Sequence, residues 1–192
     1  MEQTDEELIQ AYQAGEGAAY EALFHRHKGK VFNFALRILG NRADAEDVTS
    51  EVFIQLFQRR YQDTGKARLS TWLLTVARNA SLTRLRSRQW LQPLWFKRNA
   101  TDEFEEWDIP DIAHSPSDAL KTKEMTRAVK RAILDLPEGQ KEAVILREYL
   151  KKDYSEIAQI LGCSLENVKI LIFRGREHLR VQLAALIKEE TL

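Results

Sequence analysis

YSEIAQILGCSLENVKILIFRGREHLR, residues 154–180, contains two stretches with helical periodicity, separated by a short turn that includes a glycine. Asp153 and Glu156 occupy the two positions of a capping box, which favours the start of a helix there. The apolar side chains predicted to form one buried stripe along the second helix are Leu165, Val168, Ile172, Leu179 and Leu183. A short helix, a tight turn and a second helix with a single apolar stripe are typical of a helix-turn-helix.

The other face of that second helix indicates what it binds. The side chains predicted to point outward are Asn167, Lys169, Ile170, Phe173, Arg174 and Glu177. In a helix-turn-helix this face enters the major groove of DNA, where amide and basic side chains contact bases and phosphates. Two packed helices of an ordinary helical bundle would produce the same pattern, so the motif favours DNA binding without excluding a purely structural role.

Charge is segregated along the chain, although the formal net charge is zero. Residues 59–98 contain ten Lys or Arg and one acid, whereas residues 99–118 contain seven acids and no Lys or Arg. Residues 1–58 are acidic, and the remainder from residue 119 is basic. Such blocks predict a protein with several partners, among them a nucleic acid for the basic block.

The composition also disfavours several classes of protein. The single cysteine, Cys163, excludes an internal disulfide and lacks neighbours at zinc-ligand spacing. The four histidines are scattered, and neither a phosphate-binding glycine loop nor a nucleophile elbow occurs, so we expect no metal, no cofactor and no enzymatic activity. The polar N-terminus and the lack of an apolar run of about 20 residues predict a cytoplasmic protein without membrane insertion.

Helical periodicity and the scarcity of Gly and Pro predict an all-α chain of two small helical domains. We place the first domain at residues 1–92 and the second, with the helix-turn-helix, at residues 118–192. A flexible acidic linker at residues 93–117 is predicted to join them, because it contains three prolines and the run DEFEEWD. Aromatic residues lie in or beside this linker: Trp90, Trp95, Phe96, Phe104 and Trp107.

Local signals predict where several helices begin and end. Thr4 and Glu7 form a second capping-box pattern at the start of the chain. Another helix is predicted from about Asp44 to Arg60, and Ser70 is predicted to cap the next helix, which runs to about Arg88. A longer helix between the first of these helices and the one at Asp44 is predicted to end at Gly40, and the remaining predicted helices span approximately residues 117–134, 137–150, 153–161 and 165–188.

Two helices of the first half carry opposite charge. RLSTWLLTVARNASLTRLRSR, residues 68–88, combines arginines with Trp72 and Asn79, which suits phosphates and unpaired bases. A solvated helix with Trp72 in the core explains this pattern equally well. ADAEDVTSEVFIQLF, residues 43–57, carries acids near its start, where the helix dipole favours them.

The order of these parts resembles an extracytoplasmic-function sigma factor of bacterial RNA polymerase. ALRILGNRADAEDVTSEVFIQLF, residues 35–57, is similar to the polymerase-binding region of that family. STWLLTVARNASLTRLR, residues 70–86, resembles the helix that engages the minus-ten promoter element. Residues 136–180 resemble the minus-thirty-five domain. The resemblance covers both ends of the chain and leaves only the linker unmatched.

The resemblance implies three sets of contact residues. Those that would dock on the clamp helices of the largest subunit of core RNA polymerase are Asp44, Glu46, Asp47, Ser50, Glu51 and Ile54. Those at the minus-ten element would be Lys66, Arg68, Ser70, Trp72, Arg78, Asn79, Arg84 and Arg86, with the loop at residues 61–69 holding a flipped base. Those at the minus-thirty-five element would be Ser164, Asn167, Lys169, Ile170, Phe173, Arg174 and Arg176.

The resemblance further implies an anti-sigma partner, control of a stress or envelope regulon, and a linker that passes near the polymerase active centre. The last helix departs from the family pattern, because Ile170 and Leu171 replace two polar residues and Gly175 lies in the helix interior. Ile170 on the groove face suits a thymine methyl group, or alternatively a protein contact. Two alternative functions therefore stay open: a DNA-binding regulator that acts without polymerase, and a sigma-like decoy without promoter activity.

Overall fold

The computed structural model describes residues 3–58, 61, 68–91 and 116–189, with side chains omitted at 89–91, 116–124 and 185–189. Every secondary-structure element in these ranges is helical, which confirms the predicted all-α class. The chain divides into two compact units, Met1–Lys97 and Arg98–Leu192. The predicted linker lies almost wholly outside the described residues, so its flexibility and the role of its aromatic residues stay predictions.

The N-terminal unit is built from four helices. They are α1 at Asp5–Gln13, α2 at Gly17–Leu39, α3 at Arg42–Phe57 and α4 at Leu69–Leu91. Helix α2 packs against the other three, and α3 also packs against α4. Apolar side chains from all four helices are buried at the centre, including Leu8, Leu23, Phe34, Val48 and Leu73. This burial removes apolar surface from water and is the main force that holds the unit together.

An acidic side chain ties α1 to α2. Asp5 accepts from Arg26, with 2.8 Å between Oδ1 and Nη1, and its Oδ2 lies 2.8 Å from Nε2 of the buried His27. Partial burial raises the pKa of Asp5, but the hydrogen bonds from Arg26 and His27 and their charge outweigh it, so the pKa lies below its ordinary value. The first helix is therefore joined to the core by charge as well as by its apolar residues.

The C-terminal unit contains α5 at Pro116–Leu134, α6 at Glu138–Val144, a π-helical turn at Ile145–Tyr149, α7 at Tyr154–Leu161 and α8 at Leu165–Glu189. Helix α8 packs against α5, α6 and α7. The π-helical turn replaces the end of the single helix that was predicted to reach Leu150. Its geometry is visible at the Leu150 N–H, which donates to the carbonyl of Ile145 five residues earlier.

Both predicted capping boxes are confirmed. The side chain of Thr4 accepts from the Glu7 N–H, and Asp153 accepts from the Glu156 N–H, with each glutamate reaching back to the cap. The backbone N–H of Glu156 and the hydroxyl of Ser155 lower the pKa of Asp153, because they bond its charged form. These local motifs settle the start of α1 and of α7.

Three local predictions were wrong. Helix α3 begins at Arg42 rather than about Asp44, because Asn41 is the N-cap and accepts from the Asp44 N–H. Ser70 is not an N-cap, since α4 begins at Leu69 and the Arg68 carbonyl accepts the first helical hydrogen bonds. Leu165, predicted to be buried, is 44% exposed because it is the first residue of α8, whereas Val168 and Ile172 are buried as expected.

Candidate polymerase and nucleic-acid interfaces

The residues predicted to bind polymerase share one face of α3. Their spacing of three and four residues brings them onto adjacent turns of the helix. Glu46, Asp47 and Ser50 are exposed, and Ile54 is 53% exposed. Asp44 and Glu51 are half-buried at the side that meets α4. The structure therefore presents an acidic surface that ends in an exposed apolar side chain.

Phe57 extends this surface and was not predicted. It lies three residues after Ile54, is 60% exposed, and packs against the rings of Tyr12 and Tyr20 at 6.3 and 5.5 Å between centroids. The two tyrosines also hold the end of α3, because their hydroxyls donate to the carbonyls of Phe57 and Phe53 at 2.5 and 3.0 Å. The terminal carbonyls of a helix need such partners. The spacing from Ile54 was the signal available in the sequence.

Two residues predicted for the polymerase surface contact arginines of the predicted DNA-binding helix α4. Nη1 of Arg84 lies 2.9 Å from Oε2 of Glu51, and Arg88 forms an ion pair with Asp44. A groove of about 240 Å³ runs between the two helices beside the first of these pairs. It is lined by Glu51, Gln55, Val76, Asn79, Ala80, Thr83 and Arg84. The two predicted surfaces therefore meet at one seam, with acids of α3 facing cations of α4.

The rest of the predicted minus-ten set is distributed along α4. Trp72 is half-buried, and its ring meets that of the buried Tyr61 edge to face, with 5.6 Å between centroids. Arg68, Asn79 and Arg86 are exposed, whereas Ser70 and Arg78 are half-buried. Lys66 and most of the loop predicted to hold a flipped base lie outside the described residues. The Tyr61–Trp72 contact shows that residues on both sides of that loop are close together.

Helix α8 presents the predicted outward face. Asn167, Lys169 and Arg174 are exposed, and the large apolar side chains of Ile170 and Phe173 are 46% and 67% exposed. The exception is Glu177, which is half-buried and bonds Arg180. The hydroxyl of Ser164 accepts from the Asn167 N–H at 3.2 Å, so this residue caps α8 as its sequence position indicates.

Arg176 differs from the other cations of this face. Its Nε and Nη2 donate to Oε1 of Glu148 in the π-helical turn, at 3.0 and 2.6 Å. The hydrogen bond and charge of Glu148 raise the pKa of Arg176 above its ordinary value. The side chain that was predicted to contact DNA therefore joins α8 to the π-helical turn.

Packing explains two of the three departures in this helix. Leu171 is half-buried, and a methyl group added at Gly139 would lie 3.3 Å from its Cδ2. A methyl group added at Gly175 would lie only 2.6 Å from Cγ2 of Val144, so only glycine lets α8 approach α6 this closely. Leu171 and Gly175 therefore serve the interior of the unit, and Ile170 alone changes the outward face.

Within the part of the chain that the structure describes, no group of three or more His, Cys, Asp or Glu could hold a metal ion. No helix among the described residues is long and apolar enough to span a membrane. Cys163 is half-buried and carries a free thiol.

Comparison with known proteins matches both units. Residues 23–91 match the family described as Sigma-70 region 2, and residues 126–179 match Sigma-70, region 4. The chain is 29% identical over 190 residues to the RNA polymerase sigma-H factor of Pseudomonas aeruginosa, covering 98% of each chain. It is 28% identical over 187 residues to the ECF RNA polymerase sigma factor SigW of Bacillus subtilis, covering 97% of this chain and 100% of that protein.

A solved structure shares the fold. The sigma factor RpoE of Bartonella quintana, crystallised with the anti-sigma factor NepR, matches with a TM-score of 0.64 at 20% identity. The match covers 86% of this chain and 96% of that one. The two family regions, in this order on one chain, agree with the order of parts inferred from the sequence.

Proposed function

Because the chain belongs to the sigma-70 family and resembles its extracytoplasmic-function members over nearly its whole length, we propose that it directs transcription initiation. In this role it binds core RNA polymerase, recognises promoter DNA and helps to melt it. The observation that carries the proposal is the pair of sigma regions on one chain, each with an exposed surface that fits one of these tasks. The protein would act as a non-enzymatic specificity subunit in the cytoplasm, where bacterial polymerase works.

The α3 surface is the proposed contact with the clamp helices of the largest polymerase subunit. Its exposed acids, Glu46 and Asp47, suit a basic partner, with Glu46 also paired to Arg42 within α3. The exposed Ile54 and Phe57 supply apolar area of the kind that contributes most to binding when it is buried. We therefore add Phe57 to the six residues inferred from the sequence. The domain limits at residues 1–92 and 118–192 remain part of the proposal.

The exposed side of α4 is the proposed contact with the minus-ten element. Arg68, Asn79 and Arg86 are exposed there, and Trp72 lies beside Tyr61 at the two ends of the adjoining loop. Aromatic side chains stack on unpaired bases, and cations follow the phosphate backbone. Arg84 would reach DNA only by leaving Glu51, so its part in DNA binding depends on that ion pair.

The outward face of α8 is the proposed contact with the minus-thirty-five element. It forms the second helix of a helix-turn-helix, with α7 before it and Gly162 in the left-handed conformation at the turn. Lys169 and Arg174 are the cations exposed nearest the middle of this face. An anti-sigma partner is proposed to hold the protein inactive until a stress or envelope signal releases it.

Transcription from fragmented genomic DNA with the full chain and bacterial core polymerase, followed by mapping of RNA 5′ ends, tests the proposal. Discrete start sites that share two upstream elements support it. Stable binding to core without discrete starts would favour a sigma-like decoy. Absence of core binding would favour a regulator that binds DNA without polymerase.

Paired variants assign the polymerase contact. Ile54→Ser should weaken binding to core polymerase about tenfold or more, because an exposed apolar anchor is removed. Val181→Ser is the matched control, since Val181 is an equally exposed aliphatic side chain on α8. Equal binding of the two variants would show that α3 does not make this contact.

A further inference from the structure

Ile170 and Phe173 form an exposed apolar pair on α8. Ile170 and Phe173 are three residues apart and therefore lie on the same face of the helix. Ile170 is 46% and Phe173 is 67% exposed, while Val168 and Ile172 on the opposite face are buried. Large apolar side chains exposed next to each other mark a binding surface more often than a chance feature.

The polar neighbours of this pair indicate DNA as the occupant. Lys169 and Arg174 flank the pair and are exposed, and the structure contains no ion pair between either of them and another described residue. Arg176 and Arg180 are by contrast engaged with Glu148 and Glu177. Two exposed cations on the recognition helix can contact the phosphates on either side of a major groove.

The uncharged side chains on this face of α8 have a defined chemical preference. Asn167 precedes Ile170 by three residues, so it lies on the same face and offers the amide that pairs with adenine in the major groove. Thymine is the base that presents an apolar group there, its 5-methyl. Arg174, the exposed guanidinium of this face without an ion pair to another described residue, flanks the apolar pair.

From this arrangement we infer that Ile170 and Phe173 read thymine methyl groups in the minus-thirty-five element, with Lys169 and Arg174 on the flanking phosphates. The inference rests on the proposed function and specifies the DNA that this face selects. In this arrangement the apolar contacts select the base sequence, and the two cations position the helix on the phosphates. The element should accordingly contain A·T pairs with thymines directed toward α8.

Replacement of thymine by deoxyuridine tests this directly, because it removes the methyl group and leaves base pairing intact. The promoter is one found by mapping RNA 5′ ends, and the full chain is used with core polymerase. Each contacted thymine replaced by deoxyuridine should weaken holoenzyme binding about fourfold, the value of one buried methyl group. The penalty should disappear at one position in Ile170→Ala and at another in Phe173→Ala. Val181→Ala, a control on the same helix, should retain both penalties.

Two results would overturn the inference. One is equal binding of thymine and deoxyuridine templates by the unchanged protein, which would leave the apolar pair for a protein partner. The other is a penalty that persists in both Ile170→Ala and Phe173→Ala. Initiation on the unmodified template is scored separately. Its failure would overturn the proposed function, whereas initiation without sensitivity to deoxyuridine overturns only the reading of methyl groups.

Discussion

The two units use charge differently. In the N-terminal unit three ion pairs join separate helices, namely Asp5 with Arg26, Glu51 with Arg84 and Asp44 with Arg88, and a fourth, Arg42 with Glu46, lies within α3. Among the ion pairs seen in the described part of the C-terminal unit, Lys152–Glu156 and Glu177–Arg180 are local, and Glu148–Arg176 joins separate elements. There the close approach of Gly175 to Val144 determines how two helices meet.

This difference shows that a count of basic residues does not measure the charge available to DNA. Helix α4 is rich in arginine, but two of its arginines face acids of α3. Helix α8 contains three arginines and two lysines. Its Arg176 and Arg180 are paired with acids, whereas Lys169 and Arg174 are exposed beside an apolar face. The contribution of each helix to DNA binding therefore depends on which cations already have an acid.

The largest expected effect concerns the close contact of the C-terminal unit. Gly175→Ala should destabilise that unit by about 1–3 kcal/mol, because the new methyl group would overlap Val144 and a packed core resists added volume. Gly29→Ala in α2 should instead stabilise the N-terminal unit by about 1 kcal/mol, since nothing lies near its added methyl group and alanine favours the helix. Urea unfolding with residue-resolved hydrogen exchange measures both.

Val144→Ala in the Gly175→Ala background should recover part of the loss, because it removes the overlapping methyl group. Gly139→Ala is a matched control within the same unit, since its neighbour is the flexible end of Leu171 at 3.3 Å. If Gly175→Ala and Gly139→Ala change the free energy of unfolding equally, overlap with Val144 does not cause the loss of stability.

The next effect compares a cation of α8 that is exposed, Arg174, with one that is bonded to an acid, Arg176. Arg174→Ala should weaken promoter binding about eightfold at 0.1 M salt and reduce the slope of log affinity against log salt by about 0.9, the loss of one phosphate contact. Arg176→Ala should change the slope much less, because that side chain is bonded to Glu148. Titration of holoenzyme against promoter at several salt concentrations gives both slopes. Equal slopes in the two variants would contradict the assignment.

A smaller effect compares the capping boxes of the two units. Thr4→Ala and Asp153→Ala should each cost about 1 kcal/mol at pH 7. The pKa of Asp153 is lowered in the folded state, so its contribution is present above its unfolded pKa and is lost as the pH falls through the folded value. The Asp153→Ala effect should therefore shrink below about pH 4, near the ordinary carboxyl pKa.

The hydroxyl of Thr4 does not titrate in this range, so the Thr4→Ala effect should persist in acid. Urea unfolding of each variant beside the unchanged protein, at neutral and acidic pH, measures the difference. Two effects that decline together would mean that acid acts on the chain as a whole rather than on the Asp153 cap.

The smallest expected effect tests the seam of the N-terminal unit. A double-mutant cycle of Glu51→Ala and Arg84→Ala should give a coupling of about 0.5 kcal/mol at low salt, because both side chains are partly exposed. The coupling should decrease at high salt, where screening is stronger. Arg86→Ala, an exposed neighbour on α4, should show no coupling to Glu51→Ala. Coupling of equal size in both cycles would rule out a specific ion pair.

Local patterns predicted much of this molecule. The capping boxes at Thr4 and Asp153 depend on residues three apart, and the outward face of α8 follows from a helical period. Both signals lie within a few residues of the feature they specify. The all-helical class followed in the same way from periodicity and from the few glycines and prolines.

Other features depend on contacts that the sequence does not display. The Glu51–Arg84 pair joins positions 33 residues apart, and nothing in either helix alone indicates the partner. The role of Gly175 became clear only from the position of Val144. Leu165 fits the helical period of the buried stripe, but it is the first residue of α8 and is exposed there.

Because of the π-helical turn at Ile145–Tyr149, the number of residues in this short segment sets the direction in which the chain leaves it. An α-helix advances by about 100° and 1.5 Å with each residue, so one residue more or less changes the phase of all that follows. Deletion of a single residue here would allow α-helical bonding to continue and would rotate the departure of α7 from α6 by about that angle. The orientation of the recognition helix α8 therefore depends partly on how many residues this turn contains. A substitution of side chains would not reproduce the effect of changing that number.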